Sequence, residues 1–221
     1  MEKNISSRHG KRKLLIYLVL SAAFLSALAM PFKINKPVVI SAPPATESNP
    51  SVTAAQLMKD QLEEESKAAF NEAYTVFMHP RCLNCHPAGD VPLQGDDSHL
   101  HTQAVKRGTD GKGLYAMKCK NCHQDTNIPG DRMPPGHPNW HLPPASRKMV
   151  FEGKSPAQLA AGFKDPKFTG FKTMEEFIKH VEDDPLVKHS FTYGTKPPLS
   201  HPEFVAKVKE WIAKGAAVPG K

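Results

Sequence analysis

Two copies of one short pattern use every cysteine in the chain: C-L-N-C-H at residues 82–86 and C-K-N-C-H at 119–123. Any fold of this sequence must therefore present two thiols on one short turn, with an imidazole directly after them, and must do so twice. A C-x-x-C pair alone has three readings: a zinc site, a redox dithiol, or a haem attachment point. Taken together the cysteines read C-x2-C-x33-C-x2-C, which admits a tetrathiolate zinc site with a loose spacing between its halves. Such a site has no use for the histidines. Histidine is 11 of 221 residues, so finding one after both pairs by chance has odds of roughly one in 400, and it belongs to the pattern. A thioredoxin-like dithiol needs a βαβ context, which is missing, and is not normally doubled.

Covalent attachment of haem uses every element of the pattern. The thiols add to the two vinyl groups of the porphyrin, the two-residue gap puts both on one helical turn, and the histidine supplies the proximal nitrogen to iron. Cys82, Cys85, Cys119 and Cys122 are thus expected to hold two c-type haems, with His86 and His123 as proximal ligands. Composition points the same way. Only 39% of residues are hydrophobic and 21 are proline, so a core built from side chains alone is thin and two porphyrins supply apolar mass.

The sixth ligand decides function, because a closed iron shuttles electrons and an open one does chemistry. His99 and His101, in D-D-S-H-L-H-T, lie between the two motifs and can serve either iron. Met133 precedes Pro134-Pro135-Gly136, a common setting for a distal sulfur, and His141 follows Trp140 in N-W-H-L-P-P, with the indole as a haem-edge contact. The competing readings are a surface histidine bonded to Asp96 or Asp97, and ordinary loop packing for Met133. His79, His137 and Met117 are weaker candidates. His180, His189 and His201 fall on or beside predicted helices and read as structural or exposed. The stretch from Arg107 to Gly113 either binds propionates or is simply a glycine turn.

The N-terminus has a targeting layout. Lys11-Arg12-Lys13 precedes an uncharged run over 14–30, which has an acceptable A-x-A cleavage site, Ala27-Leu28-Ala29, near its end. Seventeen residues span about 26 Å as a helix, slightly less than a hydrocarbon core. Residues 1–30 are therefore a signal peptide or an N-terminal membrane anchor, and the rest is exported in either case. Attachment of c-type haem also takes place outside the cytoplasm. The net charge of +7 belongs mostly to this leader: beyond residue 36 there are 22 basic and 21 acidic residues. No basic stripe with interleaved aromatics remains, which argues against nucleic-acid binding.

Residues 31–53, with S-A-P-P-A-T-E-S-N-P-S, read as a flexible linker. The remainder, 54–221, is expected to be one dihaem domain: a helix over 54–78, a haem-binding core over 79–145 rich in glycine and proline turns, and a helical part over 146–221. Three helices are predicted in that last part, starting at the caps Ser155-Pro156, Thr173 with Glu176, and Ser200 with Glu203. The expected fold is all-α and cytochrome c-like, with short helices and long irregular loops packed around two covalently attached haems.

Several stretches carry a resemblance to a known family: H-P-R-C-L-N-C-H-P-A-G-D-V-P-L-Q-G-D-D-S-H-L-H, V-K-R-G-T-D-G-K-G, P-N-W-H-L-P-P, D-D-P-L-V and G-A-A-V-P. From about Phe77 to Pro219 the chain resembles small exported dihaem proteins called isoquinoline 1-oxidoreductase subunits. The resemblance implies association with a molybdenum hydroxylase of the xanthine dehydrogenase type. With all four cysteines committed to haem, this chain would be the electron-accepting subunit and not the catalytic one. Members share the H-x-H and W-H-L elements, which places weight on His99, His101 and His141; a methionine at the Met133 position is less regular.

The expectation is a periplasmic dihaem cytochrome c, soluble or anchored to the inner membrane, passing electrons from a dehydrogenase or hydroxylase towards a respiratory cytochrome. The alternatives are a haem enzyme with one open iron, acting on peroxide, thiosulfate or a nitrogen oxide, and a haem-based gas sensor.

Overall fold

The computed structural model describes residues 53–220. The expected leader at 1–30, and the linker at 31–53 apart from its last residue, lie outside the described residues. Among the described residues, no helix is long and apolar enough to cross a membrane.

Helix α1 runs from Ala54 to Phe77, as the periodicity predicts, and Thr53 caps it by accepting from the Gln56 N–H. Its N-terminal half is solvated and laced with i,i+4 pairs such as Lys67–Glu63 and Gln61–Glu65. Its second half buries Ser66, Ala69, Phe70, Ala73, Val76 and Phe77, a stripe at three- and four-residue spacing. The stripe packs against α7, His201–Ala213, which buries Phe204, Val205, Val208 and Trp211. Around this pair lie α3 (Pro156–Phe163), α4 (Pro166–Thr169), α5 (Met174–Asp183) and α6 (Pro185–Ser190). Phe70, Phe77, Phe163, Phe177 and Trp211 meet at its centre, with ring centroids from 4.6 to 6.5 Å apart.

The C-terminal part holds five helices where the caps predict three. The two extra ones begin Asp165-Pro166 and Asp184-Pro185, each with the aspartate carboxylate accepting from the first turn and proline at the first helical position. Ser155 and Ser200 close full capping boxes. Thr173 caps α5, but the Glu176 carboxylate reaches the Lys172 N–H at 2.7 Å instead of its own cap residue.

Residues 84–148 contribute no side chain to the core cluster. They form loops with two antiparallel ribbons: β1 (Leu93–Gln94) with β2 (His99–Leu100), and β3 (Gly113–Leu114) with β4 (Met117–Lys118). The backbone ties this segment together. Gly111, at φ +77°, approaches the 142 peptide so closely that a Cβ would overlap the Leu142 carbonyl, and its own carbonyl accepts from the Leu142 N–H at 2.9 Å. The architecture is largely helical, compatible with an all-α class, with a long irregular excursion between Leu83 and Met149.

Candidate functional site

The first cysteine pair sits where this excursion leaves the core. His79 caps the four-residue helix α2 (Pro80–Leu83), its ring accepting from the Arg81 N–H, and Pro80 occupies the first helical position. The turn continues through Cys85 N–H to Cys82 O (3.2 Å) and His86 N–H to Leu83 O (2.9 Å), so two thiols and an imidazole share one helical turn. Cys82 and Leu83 pack on the core cluster, anchoring that turn.

The His86 ring is fixed from behind. Its Nδ1–H donates to the Met149 carbonyl at 2.7 Å, and the Phe151 ring lies parallel to it at 3.9 Å and 8°. Met149 presents that carbonyl from the left-handed region, φ +46°, an unusual conformation for an unbranched residue with a side chain. The Phe151 N–H in turn donates to the His86 carbonyl at 2.9 Å. With Nδ1 committed as a donor, Nε2 keeps its lone pair. Burial holds the imidazole neutral, pushing it down to about 3, and pushes the Cys82 and Cys85 thiols up to about 12 and about 11.

A cavity of about 350 Å³ opens beside these groups, in the size class that takes a whole organic cofactor. Cys82, Cys85 and His86 line it, together with His141, His180 and Trp140. Phe77, Phe177 and Phe204 from the core line it too, so its surface is largely apolar.

The second motif repeats this arrangement on a slighter scaffold. Cys119–Asn121 is a 3-10 turn, extended by Cys122 N–H to Cys119 O (3.2 Å) and His123 N–H to Cys119 O (2.8 Å). The His123 Nδ1–H donates to the Pro135 carbonyl at 2.7 Å, and the Trp140 indole stacks parallel on the ring at 4.3 Å and 8°. Gly136 follows immediately; a Cβ there would run into the backbone at Gln124 and Thr126. Burial lowers the His123 pKa as well, keeping it neutral with Nε2 available.

Across from His123 stands His101, with ring centroids 6.4 Å apart and planes at 59°. Two imidazoles bound to opposite sides of one metal ion, each through a bond of about 2.0 Å, have ring centres about 6 Å apart. The His101 Nδ1 is buried without a hydrogen-bond partner among the described residues. Large apolar side chains next to this site stand open to solvent: Leu100 (64% exposed), Tyr115 (84%) and Met117 (48%). An apolar group bound here would cover such a surface.

The remaining predicted candidates separate cleanly. His99 is exposed, with its Nδ1 bonded to the Asp97 carboxylate at 2.6 Å. Met133 is 43% exposed on its loop. His141 lies in the wall of the first cavity, its Nδ1–H donating to the Asn139 carbonyl at 2.7 Å. His201 bonds the Val181 carbonyl at 2.9 Å, a structural role as its place beside a helix suggests. His180 lines the first cavity, a place its sequence context does not announce; the usable signal is Asp184 four residues on, on the same helical face.

Two arginines complete the surroundings. Arg107 is fully buried, donating to the Pro143 and Gly89 carbonyls at 2.6 and 3.2 Å; Asp90 lies 3.9 Å away, and its Nε has no partner among the described residues. Arg81 pairs with Asp96, lies over the Tyr193 ring at 5.0 Å and lines the first cavity, also with an unpartnered Nε. Arg81 already has its counter-charge in Asp96, and Arg107 faces Asp90 only at 3.9 Å. Each keeps a buried Nε–H with no hydrogen-bond acceptor among the described residues, which a ligand carboxylate would satisfy.

Among the described residues, which include all four cysteines, no cluster of three or more histidine, cysteine or acidic side chains is placed to hold a metal ion, so the two thiol pairs do not come together as one tetrathiolate site. No family model, curated protein or solved structure matches the chain. At the first motif, twin thiols, a neutral imidazole, an apolar cavity and the Arg81 guanidinium are chemically suited to a covalently held porphyrin. At the second, the thiols and the neutral imidazole recur without such a cavity.

Proposed function

We propose that the chain is an exported c-type cytochrome with two covalently attached haems, carrying electrons between a dehydrogenase or hydroxylase and the respiratory chain. The observation that carries the reading is a recurrence. Each C-x-x-C-H histidine donates Nδ1–H to a backbone carbonyl at 2.7 Å, lies against a parallel aromatic ring, and leaves Nε2 free beside its two thiols. A carbonyl on the far nitrogen fixes the tautomer and orientation that an iron ligand needs and raises its basicity.

In this reading Cys82, Cys85 and His86 hold the first haem, and Cys119, Cys122 and His123 hold the second, with His101 opposite His123. The haems supply one-electron redox chemistry when bound. Arg81 and Arg107 would take propionate carboxylates. Trp140, which stacks on His123 and also lines the first cavity, links the two sites. The leader pattern supports a periplasmic location, free or anchored through residues 14–30. The family resemblance supports a molybdenum hydroxylase as electron donor.

Optical and paramagnetic spectra of the protein purified after export test the electron-carrier role. Two low-spin irons that do not bind carbon monoxide on reduction are expected. A high-spin iron that binds carbon monoxide readily would instead make the protein a haem enzyme or a gas sensor.

A further inference from the structure

We propose that His180 supplies the sixth ligand to the iron held by His86, with Asp184 as the positioning residue behind it; this rests on the dihaem reading above. Helix α5 turns one face to the first cavity, and Phe177, His180, Val181 and Asp184, at three- and four-residue spacing, all line it. Phe177 and Val181 are buried in the core, so the helix that carries His180 is fixed. The Phe171 ring packs beside the imidazole at 5.1 Å. His180 Nδ1 lies 3.5 Å from Asp184 Oδ2, while the other carboxylate oxygen, Oδ1, caps α6 by accepting from the Leu186 and Val187 N–H groups at 2.8 and 3.1 Å. The carboxylate is held by the cap on one oxygen and faces the imidazole with the other. At 3.5 Å the contact is an ion-pair distance and not a hydrogen bond. The facing carboxylate favours a proton on Nδ1 and the lone pair on Nε2, the tautomer set by hydrogen bonds at His86 and His123.

The competing residue in this cavity is His141. It comes from an irregular loop, and its ring bonds a carbonyl two residues back on that same loop. Ligands mounted on packed helices hold their geometry better than ligands on loops. The two sites then differ in a way that affects their redox properties. At the first, a carboxylate backs the distal imidazole and raises its basicity; at the second, His101 Nδ1 has no partner among the described residues. A more basic ligand favours the oxidised iron, so Asp184 lowers the potential of the first haem.

Intact mass after export first establishes whether two haems are bound; an unmodified mass would end the dihaem reading and this proposal together. In the haem-loaded protein, His180→Ala should turn one of the two irons high-spin and open it to carbon monoxide, while His141→Ala leaves both low-spin. His180→Met keeps an iron-binding side chain and should return that iron to low spin with a markedly higher potential. Asp184→Asn retains the α6 cap, since asparagine caps as well as aspartate, and should raise one midpoint potential without moving the other. The proposal is overturned if His180→Ala leaves both irons low-spin, if His141→Ala opens the iron held by His86, or if that iron is already open in the unaltered protein. Unchanged potentials in Asp184→Asn would overturn the role of the carboxylate.

Discussion

The hydrogen bonds from His86 to Met149 and from His123 to Pro135 select a tautomer, and that selection outweighs their contribution as hydrogen bonds. They also explain why chain segments 63 and 12 residues downstream are shaped as they are: Met149 is held at positive φ and Gly136 has no room for a side chain, each next to or at the accepting carbonyl. His101 faces His123 with ring centroids 6.4 Å apart and is the distal ligand in the proposed reading. His101→Ala is expected to convert one iron to high spin, with carbon monoxide binding to half of the haem; His99→Ala should leave both optical spectra unchanged, since its ring is already engaged by Asp97 at the surface. Absorption titration with carbon monoxide checks both. The H-x-H pattern brings both histidines forward without choosing between them. The choice is made by a local competition, in which the carboxylate two residues before His99 captures its ring.

At the scale of elements, the α1–α7 contact is locked by a buried polar knot. The Ser66 hydroxyl donates to the Trp211 carbonyl at 2.8 Å and accepts from the Ala217 N–H at 3.0 Å, while the Trp211 indole N–H donates to the Ala217 carbonyl at 2.8 Å. Ser66→Ala strands the Ala217 N–H, while the Trp211 carbonyl keeps its bond from the Ala216 N–H. It should cost about 1–3 kcal/mol, read as a lower midpoint in chemical denaturation with the absorption spectrum unchanged. Helices with serine or threonine caps and a long apolar stripe are legible from sequence because several signals coincide. The four- and six-residue helices after Asp165 and Asp184 are not, because they are too short to show periodicity and only an Asp-Pro step announces them. The place of His180 in the cavity wall was hidden for a related reason: a single polar residue on an amphipathic helix has no face until its neighbours are packed.

The whole molecule is divided in how it holds itself together. Helices from both ends of the described chain share one aromatic core, and the first motif leans on it through Cys82 and Leu83. The second motif belongs to a stretch, 84–148, that adds nothing to that core and keeps its shape through turns and backbone bonds. Such a stretch orders few apolar contacts against its conformational entropy. Replacing Cys119 and Cys122 by alanine should therefore leave the helical circular dichroism nearly intact while making peptide bonds between about 99 and 145 readily cleaved in limited proteolysis. Cleavage spread evenly over the chain would show instead that the second site is needed for the core.

The central claim, that both cysteine pairs are porphyrin anchors, is tested most directly by intact mass spectrometry of the exported, denatured protein after treatment with a thiol-alkylating reagent. Two haem masses, covalently retained, with no cysteine alkylated, is the predicted result. A chain without haem mass, carrying alkyl groups on all four cysteines, would contradict it.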